Sequence, residues 1–194
     1  MTKSRLEAFS DGVLAIIITI MVLELKVPHE ASLHALAGVL PVFLSYLLSF
    51  VFVGIYWGNH HHLLHTVHGV SSKLIWANMG LLFMLSLIPF TTAWMGENDF
   101  STIPVALYAV NLLFCAIAFY LLQHAIMSSH QQNSSKLIEA LKKQERKGII
   151  SLFIYIAAIA CAFIHPLISG VLIVFTAILW VIPDRNIEEA LKES

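Results

Sequence analysis

The sequence predicts an all-α membrane protein that forms one domain of six transmembrane helices over residues 1–194. Three observations carry this prediction: 58% of the residues are hydrophobic, only 12% are charged, and the mean hydropathy is +0.81. Soluble domains carry about 25% charged residues. A helix needs about 20 apolar residues to cross a hydrocarbon core of roughly 30 Å. The runs that meet this need are 8–27, 37–60, 74–95, 103–127, 149–165 and 167–183.

The last two runs are separated by His165 and Pro166. Proline disfavours helical geometry in the residue before it, so these two residues predict a tight helical hairpin. The alternative is five spans, with 149–183 forming one bent helix and a re-entrant piece.

Lysine and arginine are unevenly distributed between the two ends of the predicted spans. Ten of the eleven lie on the side of the chain termini, and only Lys26 lies on the other side. Because cytoplasmic segments carry the excess of basic residues, both termini are predicted to be cytoplasmic. The longest segment between spans, 128–147, is predicted to be a cytoplasmic loop whose second half forms a short interfacial helix.

The first span carries carboxylates at both edges of its apolar centre. Asp11 and Glu24 flank Gly12–Leu23, which measures only about 18 Å as a helix. At least one of them lies near membrane depth, where a charge facing lipid costs on the order of 3 kcal/mol at the bilayer centre and less near the edge. We therefore expect this helix to pack inside the protein or to face water. For Asp11 the alternative is an interfacial charge favoured by the N-terminal end of the helix dipole.

One face of the first span is a narrow apolar stripe. Ile16, Ile20 and Leu23 are spaced i, i+4 and i+7, and Thr19 borders them. Asp11 falls roughly opposite this stripe and is expected to point toward neighbouring helices. Taken alone, an apolar stripe is also typical of ordinary helix packing.

A buried Asp11 needs hydrogen-bond donors. The sequence places several polar residues at a similar depth near the N-terminal end of the first span. The candidate partners are Arg5, Ser10, Asn78 and one of the two histidines His60 and His61.

A histidine-rich stretch, "YWGNHHHLLHTVH" at 56–68, closes the second span. His61, His65 and His68 are spaced i, i+4 and i+7, so a metal site on one helix face is one interpretation. No cysteine or carboxylate accompanies them, and we predict neutral interfacial histidines and no metal. Trp57 fits the aromatic belt at a membrane interface.

Isolated polar and helix-breaking residues occur in the third and fourth spans. Pro89 is expected to kink or interrupt the third span, with Thr91 and Thr92 satisfying freed carbonyls. Asn111 in the fourth span is expected to form an interhelical hydrogen bond.

Several function classes are disfavoured by what the sequence lacks. No nucleophile–base pair or metal-ligand set is visible, so we predict that the protein is not an enzyme and uses no cofactor. A net charge of −1 predicts no attraction to nucleic acid. No "TVGYG"-type carbonyl filter is present, which excludes a standard potassium-channel filter.

The stretch "RLEAFSDGVLAIIITIMVLEL" at 5–25 resembles the first-helix signature of the endosomal/lysosomal potassium channel family (transmembrane protein 175 type). The core of that signature, R-x-x-x-F-S-D, is formed here by Arg5, Phe9, Ser10 and Asp11. The segments "WGNHHH" and "NMGLLFMLSLIPFTTAW" resemble further parts of the family pattern. The second half of the chain matches by span count only.

The resemblance implies a single-repeat prokaryotic member that forms a homotetramer in the plasma membrane, with the first helices lining a central pore. It places the narrowest hydrophobic ring at Ile16, further rings at Ile20 and Leu23, and a polar layer at Thr19. The motif residues then form a hydrogen-bonded network that holds helices and subunits together. The residues of this network are Arg5, Phe9, Ser10, Asp11, Trp57, His60, His61 and Asn78.

The expected function is therefore a channel permeable to K⁺ and other monovalent cations, with modest selectivity for K⁺ over Na⁺. A ring of isoleucines offers no oxygen atoms to replace water, so the cost of partial dehydration favours K⁺, and the ring can gate by dewetting. The alternatives are a proton-conducting channel of the same architecture and a small transporter or metal carrier that uses the histidine run.

Overall fold

All regular secondary structure is helical in the computed structural model, which describes residues 2–67, 69–129 and 135–181. Within these ranges the helices are α1 (Lys3–Leu23), α2 (Leu33–Gly38), α3 (Leu40–His65), α4 (Ser72–Ser86), α5 (Ile88–Glu97), α6 (Thr102–Ser129), α7 (Ser135–Ala162) and α8 (Pro166–Val181).

Four helical stretches of the described chain are long and apolar enough to cross a membrane. They are Lys3–Leu23, Leu40–His65, Ser72–Glu97 and Thr102–Ser128. These correspond to the first four predicted spans, so the prediction of an all-α membrane protein is confirmed. The apolar helix α8 has only 16 residues, and α7 concentrates its charges in its N-terminal half. Six crossings therefore stay a prediction.

Several boundaries differ from the predicted ones. The second span was predicted at 37–60, but α3 covers Leu40–His65. Span one was expected to reach residue 27, but α1 ends at Leu23, where Glu24 caps the helix shortly before Pro28. The predicted loop 128–147 is mostly helical, apart from 130–134, which lie outside the described residues. Its second half belongs to α7 and not to a separate interfacial helix, because no proline separates the basic stretch from the apolar stretch.

The predicted hairpin between the last two spans is confirmed. The helix α7 ends at Ala162, α8 begins at Pro166, and the two helices pack against each other. Pro166 occupies the first position of α8, where its missing N–H costs nothing. The backbone N–H of Leu167 donates to Nδ1 of His165 at 3.3 Å, which satisfies one of the free donors at the start of the helix.

The third span is interrupted at Leu87, two residues before Pro89, as the sequence led us to expect. A side chain of α6 fills the break. With its amide oriented to satisfy both atoms, Asn111 donates to the carbonyl of Met84 at 3.1 Å and accepts from the N–H of Ile88 at 3.2 Å. Asn111 thus supplies the partners that Met84 and Ile88 would otherwise give each other in a continuous helix. An apolar environment offers no water to these groups, so a protein partner is required.

The helix α6 forms the centre of the bundle, in contact with α4, α5, α7 and α8. Polar side chains join it to its neighbours in the interior. The hydroxyl of Ser49 on α3 lies 2.6 Å from that of Thr92 on α5 and 2.9 Å from that of Tyr108 on α6, and all three are buried. Apolar packing alone drives membrane helices together weakly, so such contacts help to fix the arrangement.

Two polar contacts show which helix ends lie together. Lys3 Nζ donates to the carbonyl of His65 at 2.9 Å, which joins the start of α1 to the end of α3. Lys26 Nζ pairs with Glu97 Oε1 at 2.5 Å, which joins the chain after α1 to the end of α5. The bundle therefore has a basic end, defined by Lys3 and His65, and an acidic end, defined by Glu24, Lys26 and Glu97.

The helices α3 and α5 approach each other closely at Gly96 of α5. A Cβ atom at Gly96 would lie 2.4 Å from Ser45 Oγ and 2.8 Å from Val42 Cα. Both distances are shorter than any ordinary contact, and the second involves backbone. Only glycine therefore fits here.

We expect Gly96→Ala to force α3 and α5 apart and to lower the stability of the purified protein by about 1–3 kcal/mol, as overpacking does. Thermal unfolding in mild detergent measures this. The matched control is Gly170→Ala in α8, where nothing lies within 4 Å of the added Cβ. Equal melting temperatures for both variants would contradict the assigned α3–α5 contact.

Candidate functional site

The helix α1 has one buried face and one uncovered face. The buried face consists of Leu6, Ser10, Leu14, Ile17 and Met21, which pack against α3, α4 and α5. On the uncovered face, 60% of Ile16, 42% of Ile20 and 75% of Leu23 is exposed. Thr19 is also exposed, and its hydroxyl donates back to the Ala15 carbonyl at 2.8 Å. The stripe expected from the spacing therefore lies on a side of α1 that the described residues leave largely uncovered.

Phe9 lies on the same side as this stripe. It precedes Ile16 by seven residues, which is about two turns, and 50% of its side chain is exposed. Gly12 is exposed on this side as well, with nothing within 4 Å of its position. We define the uncovered face as Phe9, Gly12, Ile16, Ile20 and Leu23, with Thr19 at its border.

Behind α1, a buried polar chain connects three helices. His60 Nε2 lies 2.7 Å from Asn78 Oδ1, and Asn78 Nδ2 donates to Ser10 Oγ at 3.0 Å. Ser10 Oγ donates in turn to the Leu6 carbonyl at 2.9 Å. Because the amide nitrogen of Asn78 faces Ser10, its oxygen accepts from His60, and Nε2 of His60 carries the proton. We call His60, Asn78 and Ser10 the polar triad; each is at most 2% exposed.

Asp11 differs from the expectation that it is buried and bonded to Arg5 or a histidine. Its side chain is exposed and accepts a hydrogen bond from Trp57 Nε1 at 3.0 Å. Within the part of the chain described, no hydrogen bond joins Asp11 to Arg5, which is also exposed. Asp11 and Trp57 thus link α1 to α3 on the surface, whereas the polar triad links them in the interior.

The histidines of α3 divide into one inward and several outward side chains. His60 belongs to the polar triad, while His61 is exposed and packs against Trp57 and His65, with ring centroids at 6.2 and 5.0 Å. Of the three histidines considered as a metal set, His68 lies outside the described residues. Among the residues that are described, no group of three or more His, Cys, Asp or Glu side chains could hold a metal ion.

Several polar contacts between helices were not expected from the sequence. Gln144 on α7 donates to Asn59 on α3 at 3.1 Å, and Gln123 on α6 donates to the Leu141 carbonyl of α7 at 2.8 Å. The sequence could have predicted the contact face of α3, because the hydroxyls of Ser45 and Ser49 are spaced i, i+4 in an apolar span and therefore lie on one side of the helix. The other contacts join residues far apart in the sequence, and no local pattern indicates them.

Removal of Asn78 should disrupt the polar triad without touching the uncovered face. Asn78→Ala leaves the N–H of His60 and an acceptor of Ser10 unpaired in the interior, at a cost of about 1–3 kcal/mol for each unsatisfied group. We expect a lower melting temperature and a loss of native assembly, seen by size-exclusion chromatography in mild detergent. The control is Asn98→Ala, at an exposed residue whose side-chain amide donates to the Trp94 carbonyl of its own helix at 2.8 Å. An Asn78→Ala protein as stable as this control would show that the triad is dispensable.

The chain is similar to a known family, to named proteins and to a solved structure. The model of the family described as "Endosomal/lysosomal potassium channel TMEM175" matches residues 5–89. A protein named potassium channel from Chryseobacterium sp. (strain P1-3) is 50% identical over 194 residues, which is the full length of both chains. The endosomal/lysosomal proton channel TMEM175 of Gallus gallus is 38% identical over 99 residues, or 45% of this chain and 19% of that protein.

A solved structure is similar over almost the whole length of the fold. It is described as the crystal structure of a lysosomal potassium-selective channel TMEM175 homolog from Chamaesiphon minutus. The TM-score is 0.80 at 28% identity, covering 94% of this chain and 97% of that chain. The full-length match at 50% identity, the family model over residues 5–89 and the shared fold agree: the chain belongs to the TMEM175 family.

Proposed function

We propose that this protein is one subunit of a homotetrameric potassium-permeable cation channel, with the uncovered face of α1 lining a central pore. The observation that carries the proposal is the contrast along α1: Ile16 and Leu23 are more than half exposed, whereas Leu14 and Ile17 are 2% exposed. The names of the full-length relative and of the solved homolog support potassium as the permeant ion. If four copies of the chain surround an axis, their uncovered faces would line a pore that contains water and ions, and would not face lipid.

The chemistry of this face accounts for modest selectivity. A ring of Ile16 side chains has no oxygen atoms, so an ion crosses it with part of its water removed and not replaced. K⁺ holds its water less tightly than Na⁺, which favours K⁺ at a narrow apolar neck. Thr19 adds hydroxyl oxygens between the Ile16 and Ile20 levels, and a constriction of this kind can close by dewetting.

The polar triad has a positioning role in this proposal. Its hydrogen bonds fix the rotation of α1 about its own axis, so that Ile16 and not Ile17 faces the pore. Arg5, Asp11, Trp57 and His61 are exposed in the single chain, where they are available to a neighbouring subunit. We therefore assign these four residues to contacts that hold subunits together.

The proposed arrangement in the membrane has six crossings, with both termini in the cytoplasm of a prokaryote and the protein in its plasma membrane. The ten-to-one distribution of basic residues supports the orientation. The contacts at the basic and acidic ends support antiparallel α1 and α3, with α5 ending beside the chain that follows α1. The last two crossings are the apolar half of α7 and the helix α8, of which the structure describes Pro166–Val181.

A second candidate function is proton conduction through the same pore. It is favoured by one observation, the 99-residue match to the Gallus gallus protein named a proton channel. Reversal potentials of the purified protein in planar bilayers, measured under a potassium gradient and then under a pH gradient, separate the two candidates. A current that follows only the pH gradient would replace the potassium proposal.

The decisive substitution is Ile16→Asn, which places amides where the isoleucine ring stood. Amide oxygens contact cations and hold water, so the conductance should rise and the K⁺ over Na⁺ permeability ratio should fall by about tenfold toward that of free solution, equivalent to about 1.4 kcal/mol. Bi-ionic reversal potentials measure this ratio. Oligomer size is checked alongside.

Two control positions on α1 make this test specific. Val22 is exposed but lies roughly 120° around the helix from Ile16, so Val22→Asn should leave selectivity unchanged. Ile17 is buried, so Ile17→Asn should impair folding before it alters permeation. If Ile16→Asn keeps the selectivity while Val22→Asn changes it, the pore faces a different side of α1.

The membrane orientation predicts opposite accessibility of the two ends. Single cysteines at Asn98 and at Glu139, in a background lacking Cys115 and Cys161, should react with a membrane-impermeant thiol reagent from opposite sides of intact cells. Both positions are exposed, so burial does not limit the reaction. Labelling of Glu139→Cys from outside would contradict the cytoplasmic assignment of the termini.

A further inference from the structure

The acidic end of the bundle is strongly unbalanced in charge. The segments 24–39, 97–101 and 163–165 contain four carboxylates, one lysine, no arginine and three histidines. Glu24 is exposed and directly follows Leu23, the most exposed member of the uncovered face. Among the acids of this end, Glu24 is therefore the one that lies next in the chain to the uncovered face, just past the end of α1.

The single cation of this end is already paired. Lys26 Nζ lies 2.5 Å from Glu97 Oε1, on the helix α5 and not on α1. The hydrogen bond and the charge of Glu97 raise the pKa of Lys26, so the lysine stays protonated and engaged with that carboxylate. Glu24 contributes a weaker attraction to the same lysine, and its charge is left without a close partner among the described residues.

The backbone of α1 adds partial negative charge at the same place. The last carbonyls of a helix lack intrahelical partners, and the helix dipole puts its negative end there. The last turn of α1 contains no basic residue that would offset this charge. Both the carboxylate and the helix end therefore attract cations.

We propose that Glu24 sets the conductance of the channel at low ionic strength by raising the cation concentration at the pore entrance on the acidic end. The inference rests on the proposed tetrameric pore, in which four Glu24 carboxylates surround the axis. At about 10 Å from the axis, four such charges raise the local cation concentration roughly three- to tenfold at ~0.01 M salt, and screening removes the effect at ~1 M. Glu24 acts through its field, without binding the ion at a fixed place.

The test is single-channel conductance of Glu24→Gln in planar bilayers, in symmetrical KCl of ~0.01 M and of ~1 M. We expect the variant to conduct roughly three- to tenfold less than the unmodified protein at the low concentration and equally well at the high one. The K⁺ over Na⁺ permeability ratio should not change, because the Ile16 ring is untouched. Size-exclusion chromatography verifies that the assembly is intact.

The matched control is the double substitution Lys26→Gln with Glu97→Gln, which removes a compensated pair from the same end. This double variant should conduct as well as the unmodified protein at ~0.01 M KCl. The single substitution Glu97→Gln leaves the positive charge of Lys26 uncompensated and should lower the conductance at ~0.01 M KCl. Equal conductance of Glu24→Gln and the unmodified protein at both concentrations would overturn the inference, as would an equal loss at both. An unmodified protein that carries no potassium current at all would contradict the proposed function and this inference together.

Discussion

The rotation of α1 about its own axis is the constraint on which the rest of the molecule depends. The helix is apolar on nearly all sides between Gly12 and Leu23, so hydrophobic burial alone does not distinguish one rotation from another in a membrane. The polar triad does distinguish them, because Ser10 reaches Asn78 only when its side of α1 faces the bundle. Once Ser10 is inside, Ile16 and Leu23 must be outside, since they lie on the opposite side of the same helix.

Other buried hydrogen bonds in the interior also fix how the helices are placed relative to one another. Asn111 fills the break before Pro89, and Tyr108 joins Ser49 to Thr92 across three helices. Each contact satisfies groups that water cannot reach and thereby fixes a register between helices. The interruption at Leu87 is therefore tolerated because a side chain from α6 supplies the missing partners. A frame of this kind lets a single helix present an apolar face that the described residues of the same chain do not cover.

The two ends of the bundle carry opposite electrostatic character. At the basic end, Lys3 lies on the last carbonyls of α3, where a cation is favoured by the helix dipole. At the acidic end, Lys26 is held by Glu97 and the end of α1 has no basic residue of its own. In the proposed pore, which would run between these ends, the charge difference would act along the path of the ions as well as on the orientation in the membrane.

The sequence by itself determined the membrane class, the helical content, the interruption at Pro89, the hairpin at Pro166 and the stripe of Ile16, Ile20 and Leu23. These follow from local rules: hydropathy over about 20 residues, proline geometry and helical periodicity. Only the tertiary structure decided that Asp11 bonds to Trp57 at the surface, that His60 and not His61 enters the polar triad, and that Lys26 pairs with Glu97. These partners are separated by 18 to 71 residues in the chain. Such pairings depend on how whole helices rotate and pack against each other, and the amino-acid pattern of one helix does not contain that information.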